Sequence, residues 1–428
     1  MEKGQTIEGH VTAIAFGGSG IIRHEGIVIF LPFVAVGDHV KARITHCKKR
    51  FARAELVELI ESGPLRIKPK CEYYGHCGGC QFQHLQAEEQ IKIKCEHVQD
   101  AFLRLAKPSI IITPKAIDTD KRWSYRRHIK LSLVSDESHF LCGYVSADST
   151  EIVKVLHCPI FSEQSTVIKE VQTIVEKLKP NRSGEKGSVR IVKTGKDKFV
   201  LVFSFERTAA KGLEALLKAA VAKYPHWQAC ILKDAQSTKK WGEVQCGFSL
   251  QGMVFSYSPE AFVQAHPEQS EKLYSDILKA CEGGGKSVLD LYCGIGVTSI
   301  LLANKGYNVT AMEISAVAIT EAKENAKQLT GEKPQFVRSD VAKIPAKYMK
   351  ARYDILLVNP PRTGMDASVH KSIQKLKPKR IVYVSCMPST LARDLTDLQS
   401  CGYTVKSARS YEMFPQSSHV ETLVVLDL

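Results

Sequence analysis

The sequence predicts an α/β protein of several units: a doubly wound parallel sheet in the C-terminal half, a small β-barrel at the N-terminus, and mixed α+β structure between them. Three observations predict it. The chain has 428 residues, more than a single hydrophobic core usually serves, so two or more domains are expected. From about residue 256 onward, short apolar runs of strand length alternate with amphipathic helical stretches, the pattern of a parallel sheet covered by helices on both faces. Residues 1 to 60 instead alternate short β-like runs with glycine turns: Gly9 to Ile14, Gly17 to Gly20, Gly26 to Phe30, Gly37 to Val40. That spacing suits a small barrel.

The barrel region ends in Lys48-Lys49-Arg50-Phe51-Ala52-Arg53. Cations beside an aromatic suit contact with the backbone of single-stranded or loop RNA, and equally a charged strand edge that discourages sheet aggregation. Residues 62 to 94 form a Gly, Pro and Cys-rich connector that passes into a polar helix near Gln86 to Lys94. The central stretch carries a helix-like segment, Gln164 to Leu178, and a β-like run, Phe199 to Phe203. Within it, Lys121 to Lys130 interleaves cations with Trp123 and Tyr125, aromatics expected to stack on unpaired bases. The boundaries read from these shifts are a barrel at 1–58, a connector at 59–94, a central α+β domain at 95–255 and a catalytic domain at 256–428.

Composition narrows the partners. With 59 Lys and Arg against 45 Asp and Glu, the formal net charge is +14, which favours capture of a polyanion such as nucleic acid. Charge alone fits a merely soluble basic protein as well, so the motifs must decide. The first residues carry no apolar leader, and no segment approaches the roughly 20 uncharged apolar residues that span a bilayer. A cytoplasmic protein with no membrane partner is expected. Thirteen cysteines in a reducing compartment read as metal ligands or nucleophiles rather than disulfides where they cluster.

The chemistry lies in the C-terminal half. Ser287 to Gly296, followed by helical Val297 to Ala303, is strand, glycine turn, helix, and its glycines let backbone approach a ligand at the strand's carboxyl end. The strands that follow each end in a polar residue: Glu313 after Asn308 to Met312, Asp340 after Gln335 to Ser339, Asn359 after Asp354 to Val358, Cys386 after Arg380 to Ser385. In an open α/β sheet those ends share one rim, where ligands bind. Glu313 is placed to accept hydrogen bonds from ribose hydroxyls. The loop lacks the Gly-x-x-x-x-Gly-Lys phosphate cradle, which points to a nucleoside cofactor without phosphates, S-adenosylmethionine being the common one.

Asn359-Pro360-Pro361-Arg362 has no aromatic after its prolines, as an adenine N-methylating enzyme would, and no cysteine beside them, as a cytosine C5 enzyme would. The cysteine lies on the next strand, in Ser385-Cys386-Met387-Pro388. Uracil C5 becomes nucleophilic only when something adds to C6, and a thiolate does this well. The proton left on C5 then needs a base, for which a carboxylate is suited. Tyr403 to Leu428 reads as a hairpin closing the sheet. If its last strand is antiparallel, Glu421 lies on the same rim as Cys386, which makes Glu421 the candidate base and His419 its competitor.

These residues resemble the uracil-5 RNA methyltransferases, the TrmA and RlmD group of class I S-adenosylmethionine-dependent enzymes, through most of the chain. Asp290-Leu291-Tyr292-Cys293-Gly294 with Gly296 is similar to the cofactor loop. Val384-Ser385-Cys386, Pro388 and Thr390 to Asp394 resemble the nucleophile motif, and Met413-Phe414-Pro415 with His419 to Thr422 the general-base segment. Phe262 with Gln264 resembles the stretch whose glutamine reaches the methyl-donor and substrate pocket. The resemblance implies a Rossmann-like catalytic domain in which Cys386 and Glu421 are catalytic, with Gln264, Tyr292, Gly294, Val297, Glu313, Asp340 and Asn359 at the cofactor. Residues 1 to 58 resemble the TRAM domain, an OB-like RNA-binding barrel of ribosomal-RNA members that the bacterial tRNA enzyme lacks. Cys71, Cys77, Cys80 and Cys158 suit zinc or an iron-sulfur cluster by chemistry alone. Their likeness to the family's ligand set implies a [4Fe-4S] cluster of structural role, tying connector to central domain. Three positions depart from the pattern: His266 stands for Asn, Asn359 for Asp, and Val297 for a polar residue.

The sequence reading is therefore a monomeric enzyme that forms 5-methyluridine in 23S ribosomal RNA through a Cys386 adduct at uracil C6. Its alternatives are the same reaction on the T loop of tRNA and, from another class, a non-catalytic RNA-binding or ribosome assembly factor.

Overall fold

The computed structural model describes residues 1–105, 114–195 and 197–428. The N-terminal unit is a six-stranded sheet of β1 (Thr6–His10), β2 (Ala13–Ile14), β3 (Ser19–His24), β4 (Ile27–Pro32), β5 (His39–Cys47) and β6 (Phe51–Glu61), in the order β1-β5-β6-β4-β3-β2. Alternation of apolar and polar residues fills its interior with Ile7, Ile22, Ile29, Leu31, Val40 and Ala52, as a curled sheet with one wet face requires. Lys48, Lys49 and Arg50 are exposed in the turn between β5 and β6. Buried Asp38 accepts from the backbone N–H of Ala35 and Gly63 and from Arg66 at 2.6 Å, which fastens the barrel to the connector.

The connector leads into α1 (Ala87–Leu105) and then β7 (Lys115–Ile117). The central sheet follows: β8 (His128–Ser135), β9 (Phe140–Val145), β10 (Ile152–Val153), β11 (Lys186–Gly195), β12 (Lys198–Phe205), β13 (Trp227–Lys233) and β14 (Thr238–Gly242), ordered β10-β9-β8-β11-β12-β13-β14. Helices α2 (Val167–Val175) and α3 (Leu213–Lys223) cover it and share its apolar core. A hairpin of β15 (Cys246–Leu250) and β16 (Met253–Tyr257) joins this unit to the next.

The C-terminal unit comprises α4 (Pro267–Cys281), β17 (Ser287–Leu291), α5 (Val297–Asn304), β18 (Asn308–Glu313), α6 (Ala316–Asn325), β19 (Gln335–Arg338), α7 (Ala346–Met349), β20 (Ile355–Val358), α8 (Ala367–Leu376), β21 (Arg380–Ser385), α9 (Pro388–Ser400), β22 (Thr404–Tyr411) and β23 (Glu421–Asp427). Its eight strands run β19-β18-β17-β20-β21-β23-β22-β7. The five from β19 to β21 are parallel, β23 is antiparallel to both of its neighbours, and β7 lies parallel to β22 at the edge. Strands such as β20, Ile355-Leu356-Leu357-Val358, are buried at every position, which is why they read as continuous apolar runs rather than alternating ones. The chain leaves β17 first toward β18 and later toward β20, so the carboxyl end of β17 is the switch point where such sheets bind ligands.

Two boundaries differ from the sequence reading. The polar helix expected to stop near Lys94 is α1, which runs unbroken to Leu105 and crosses the expected border at 94–95. It packs along α9, with Val98 and Phe102 in the catalytic core, and His97 meets the carbonyl of Ile14 in the barrel at 2.9 Å. Its inward face carries Gln90, Lys94 and His97, so composition alone made it look solvated. β7, expected in the central domain, instead extends the catalytic sheet. Among the described residues no helix is long and apolar enough to cross a membrane.

The turn after β17 is shaped by three left-handed residues, Tyr292, Gly294 and Gly296, with φ of 64°, 54° and 80°. A Cβ on Gly296 would fall 2.9 Å from the Phe336 ring and 3.0 Å from Ala322. Gly296→Ala is expected to lower the thermal unfolding midpoint of the catalytic unit by an amount equivalent to about 1–3 kcal/mol; an unchanged midpoint would show that this turn adjusts freely.

Candidate active site

Antiparallel pairing of β21 with β23 puts Ser385 opposite Thr422. One step further along the same register, Cys386 faces Glu421. Both line a cavity of about 600 Å³ at the carboxyl edge of the sheet, together with Gln264, Tyr292, Gly294, Glu313, Asp340, Asn359, Arg362, Phe414 and His419. That volume is in the range of small-molecule sites. Its floor is fixed by loop hydrogen bonds. Glu313 accepts from the N–H of Ser315 at 2.8 Å and of Gly294 at 3.3 Å, which ties the ends of β17 and β18 together. Asp340 accepts from the N–H of Ala342 at 2.9 Å.

The loop after β20 is held by a second device. Buried Asp394, on α9, accepts from Tyr383 Oη at 2.6 Å, from the N–H of Met365 at 2.8 Å and from Arg393 at 2.7 Å. Thr390 donates to the carbonyl of Arg362 at 3.1 Å. The nucleophile-motif residues beyond Cys386 thus anchor the loop that carries Asn359 and Arg362.

Every site residue expected from the sequence in this half reaches the cavity except Val297. Val297 is buried in the apolar core at the start of α5 and does not line it. His266 also stands apart. It caps α4, accepting from the N–H of Gln269 at 3.3 Å, and stacks on Tyr125. His and Asn both serve as such an acceptor, which accounts for the departure without involving the site. The two aromatics expected to stack on bases are not free: Tyr125 is buried and donates to the carbonyl of Pro415, and Lys70 lies over the half-buried Trp123. From the same basic run, Arg126 and His128 do line the cavity.

Comparison with known proteins agrees with this architecture. A family model described as tRNA (Uracil-5-)-methyltransferase matches residues 243–428, and a TRAM domain model matches residues 1–57. An uncharacterized RNA methyltransferase of Protochlamydia amoebophila is 39% identical over 98% of this chain and 97% of its own length. One from Halalkalibacterium halodurans is 32% identical over 100% of this chain and 97% of its own. The chain belongs to the uracil-5 RNA methyltransferase family. The fold of the whole molecule matches that of a Pyrococcus abyssi tRNA (uracil-54, C5)-methyltransferase solved with S-adenosyl-L-homocysteine, with a TM-score of 0.77, 23% identity, and 98% and 99% of the two chains covered. This chain is therefore an RNA methyltransferase with an N-terminal TRAM domain.

The cavity of the methyltransferase suits polar ligands with exposed edges. His419 and His128 line the cavity, and each buries its Nδ1 without a hydrogen-bond partner; buried polar atoms need partners. Burial pushes Glu421 up to about 8, with Gln264 and Arg362 pulling the other way. Cys386 is also raised, first by burial and then by Glu421, while Arg362 lowers it. Cys386 precedes Met387, the N-cap of α9, and the helix N-terminus adds a further small stabilisation of the thiolate. Burial, with Arg362 and Arg126 nearby, drives His419 down to about 4, so it is neutral at physiological pH.

The connector's cysteines gather separately. Cys71, Cys77, Cys80 and Cys158 line one cavity with Tyr73, Tyr74, Tyr144 and Arg126. Among the described residues, however, no group of three or more His, Cys, Asp or Glu side chains is arranged to hold a metal ion. The expected ligand set is brought together but not in coordinating positions. Burial raises all four thiols, Cys77 to about 11 and Cys80 to about 12, and protonated thiols gain nothing by converging on one point.

The role of Arg362 is open to direct measurement. Arg362→Gln should move the pH midpoint for alkylation of Cys386, followed by mass spectrometry of its peptide, upward by roughly one unit or less. A midpoint that stays in place removes Arg362 from the activation of the thiol.

Proposed function

We propose that this methyltransferase forms 5-methyluridine in large-subunit ribosomal RNA, with Cys386 as the nucleophile and Glu421 as the base. The reading is carried by one observation: Cys386 and Glu421 meet across the ends of β21 and β23 inside a single cavity. The Cys386 thiolate adds to uracil C6, forming an S–C6 bond and moving the C5=C6 electron pair toward the C4 oxygen. S-adenosylmethionine, when bound, supplies an electrophilic methyl group, and Gln264, Tyr292, Gly294, Glu313, Asp340 and Asn359 are the residues that would hold it. Once C5 carries the methyl group, Glu421 takes the C5 proton. The electron pair released restores C5=C6 and expels the thiolate. Glu421, raised to about 8, is a far stronger proton acceptor than His419 at about 4, which favours the carboxylate over its competitor.

Ribosomal RNA is favoured by the likeness of barrel and connector cysteines together to the ribosomal members of the family. A second reading, the T loop of tRNA, has one specific observation behind it. The Pyrococcus abyssi tRNA enzyme matches over 98% of this chain, so the barrel does not by itself separate the two substrates. In the ribosomal reading, Cys71, Cys77, Cys80 and Cys158 would hold a [4Fe-4S] cluster. Four thiols in one cavity beside the unpartnered Nε of Arg126 form a donor set and counter-charge that suit an anionic cluster, once the thiols ionise and turn inward. Its role would be to brace the connector.

Labelled-methyl transfer to RNA from cells lacking the gene, followed by fragment mapping, should place 5-methyluridine in large-subunit ribosomal RNA; label confined to tRNA transfers the assignment to the second reading. Cys386→Ala should abolish transfer, and normal transfer by that variant would end the mechanism. Glu421→Gln should slow turnover by roughly 10²–10⁴-fold and trap RNA covalently on Cys386. Because Glu421 works unprotonated and is raised to about 8, and Cys386 must ionise as well with its thiol raised by burial, turnover should climb with pH through about 8 and go on rising above it. Protein isolated without oxygen should contain iron and acid-labile sulfide; zinc alone, or no metal, contradicts the cluster.

A further inference from the structure

The loop that delivers the base is not held by the catalytic sheet alone. Between β22 and β23, Glu412, Met413 and Pro415 to Ser418 are buried, and this stretch carries Phe414 and His419 into the cavity before ending at Glu421. Gln416, at its centre, has φ of 71°, a left-handed conformation that is strained for a non-glycine residue and persists only where its surroundings enforce it.

The surroundings are the connector and α1. The N–H groups of Gln81 and Phe82 both donate to the Gln416 carbonyl, at 3.0 and 2.9 Å. Gln90 forms a reciprocal pair with Gln416: its Oε1 accepts from the Gln416 N–H at 3.0 Å and its Nε2 donates to the Gln416 side chain at 3.1 Å. The Ser418 N–H donates to Gln81 Oε1 at 3.3 Å. Lys94 pairs with Glu412 at 2.5 Å, both side chains 2% exposed, and donates to the Phe414 carbonyl at 3.0 Å. A fully buried ion pair is a weak source of stability, because desolvation offsets most of its attraction and an apolar pair of similar size does as well. What it supplies is a fixed geometry.

We propose that Lys94 and Gln90 are positioning residues for proton abstraction: they clamp the loop from Glu412 to Ser418 so that Glu421 meets C5 of the adduct. Neither touches the cavity. They act through the loop, on the step after methyl transfer, and Gln81, which follows Cys80 directly, links the same clamp to the thiol cavity. This inference rests on the reading of Glu421 as the base.

The test uses the full-length enzyme with undermethylated RNA from cells lacking the gene and labelled S-adenosylmethionine. Lys94→Met alone strands a buried carboxylate and threatens the fold, so the informative variant is the double Lys94→Met with Glu412→Gln, studied beside Gln90→Leu. Both should keep the KM for RNA within about twofold while slowing resolution of the methylated adduct by about ten- to a hundredfold, the cost of a misplacement near 1 Å. The adduct then accumulates as labelled protein–RNA that survives denaturing electrophoresis. A merely structural role would lower the active fraction and the unfolding midpoint but leave the adduct's lifetime at the wild-type value, and that result overturns the proposal. Glu421→Gln run in parallel separates the two readings. If it traps no adduct, the assignment of the base fails; if it traps adduct while the clamp variants resolve theirs normally, only the clamp fails.

Discussion

The antiparallel ladder between β21 and β23 is the constraint on which the site depends. Two parallel neighbours would have put the beginning of the last strand at the opposite edge of the sheet, a strand's length from Cys386. Reversal of β23 brings Glu421 to the rim, and the backbone hydrogen bonds that fix Ser385 against Thr422 fix the two reactive groups as well. The ladder sets the strand ends that carry sulfur and carboxylate, and the contacts of Lys94 and Gln90 hold the loop that leads into β23. The same proximity couples their charges: each ionised group opposes the other, burial opposes both, and Arg362 eases both.

Around that ladder, the rim is assembled from loops in uncommon conformations, each held by buried polar groups. Tyr292 and Gln416 are left-handed without being glycine. Asp394 gathers Met365, His370, Tyr383 and Arg393 to hold the turn after β20, where Gly364, at φ of 76°, leaves room for the Arg393 and Asp394 side chains. Such hubs convert one ordered helix, α9, into a template for a loop that has no regular structure of its own. Strain of this kind gathers where geometry matters for chemistry.

The units are also less separate than a linear reading implies. α1 and β7 come before the central sheet in the chain but belong physically to the catalytic unit, and α1 touches the barrel as well. Arg126 lines both the catalytic cavity and the thiol cavity. The segment leading into the central sheet therefore lends side chains to the catalytic edge, while α1 ties that unit to the barrel.

What the sequence determined by itself was local: strands such as β17, β20 and β21 from continuous apolar runs, the polar residue at the end of each, and the glycine turn after β17. These survive folding because burial on both faces demands apolar residues and because the parallel-sheet topology sends all strand ends to one rim. Glu313, Asp340, Asn359 and Cys386 were legible for that reason, Glu421 through the antiparallel reading of the last hairpin, and Gln264 through the family likeness alone. Tertiary structure alone decided what depends on contacts distant in sequence. It buried Tyr125 and freed Arg126 for the cavity, drew Val297 into the core, made His266 a helix cap, and turned a polar-looking helix inward to hold the base-bearing loop. A buried Lys94 reads as a solvated one until its partner, hundreds of residues away, is in place, since only the folded chain supplies the charge that makes its burial tolerable.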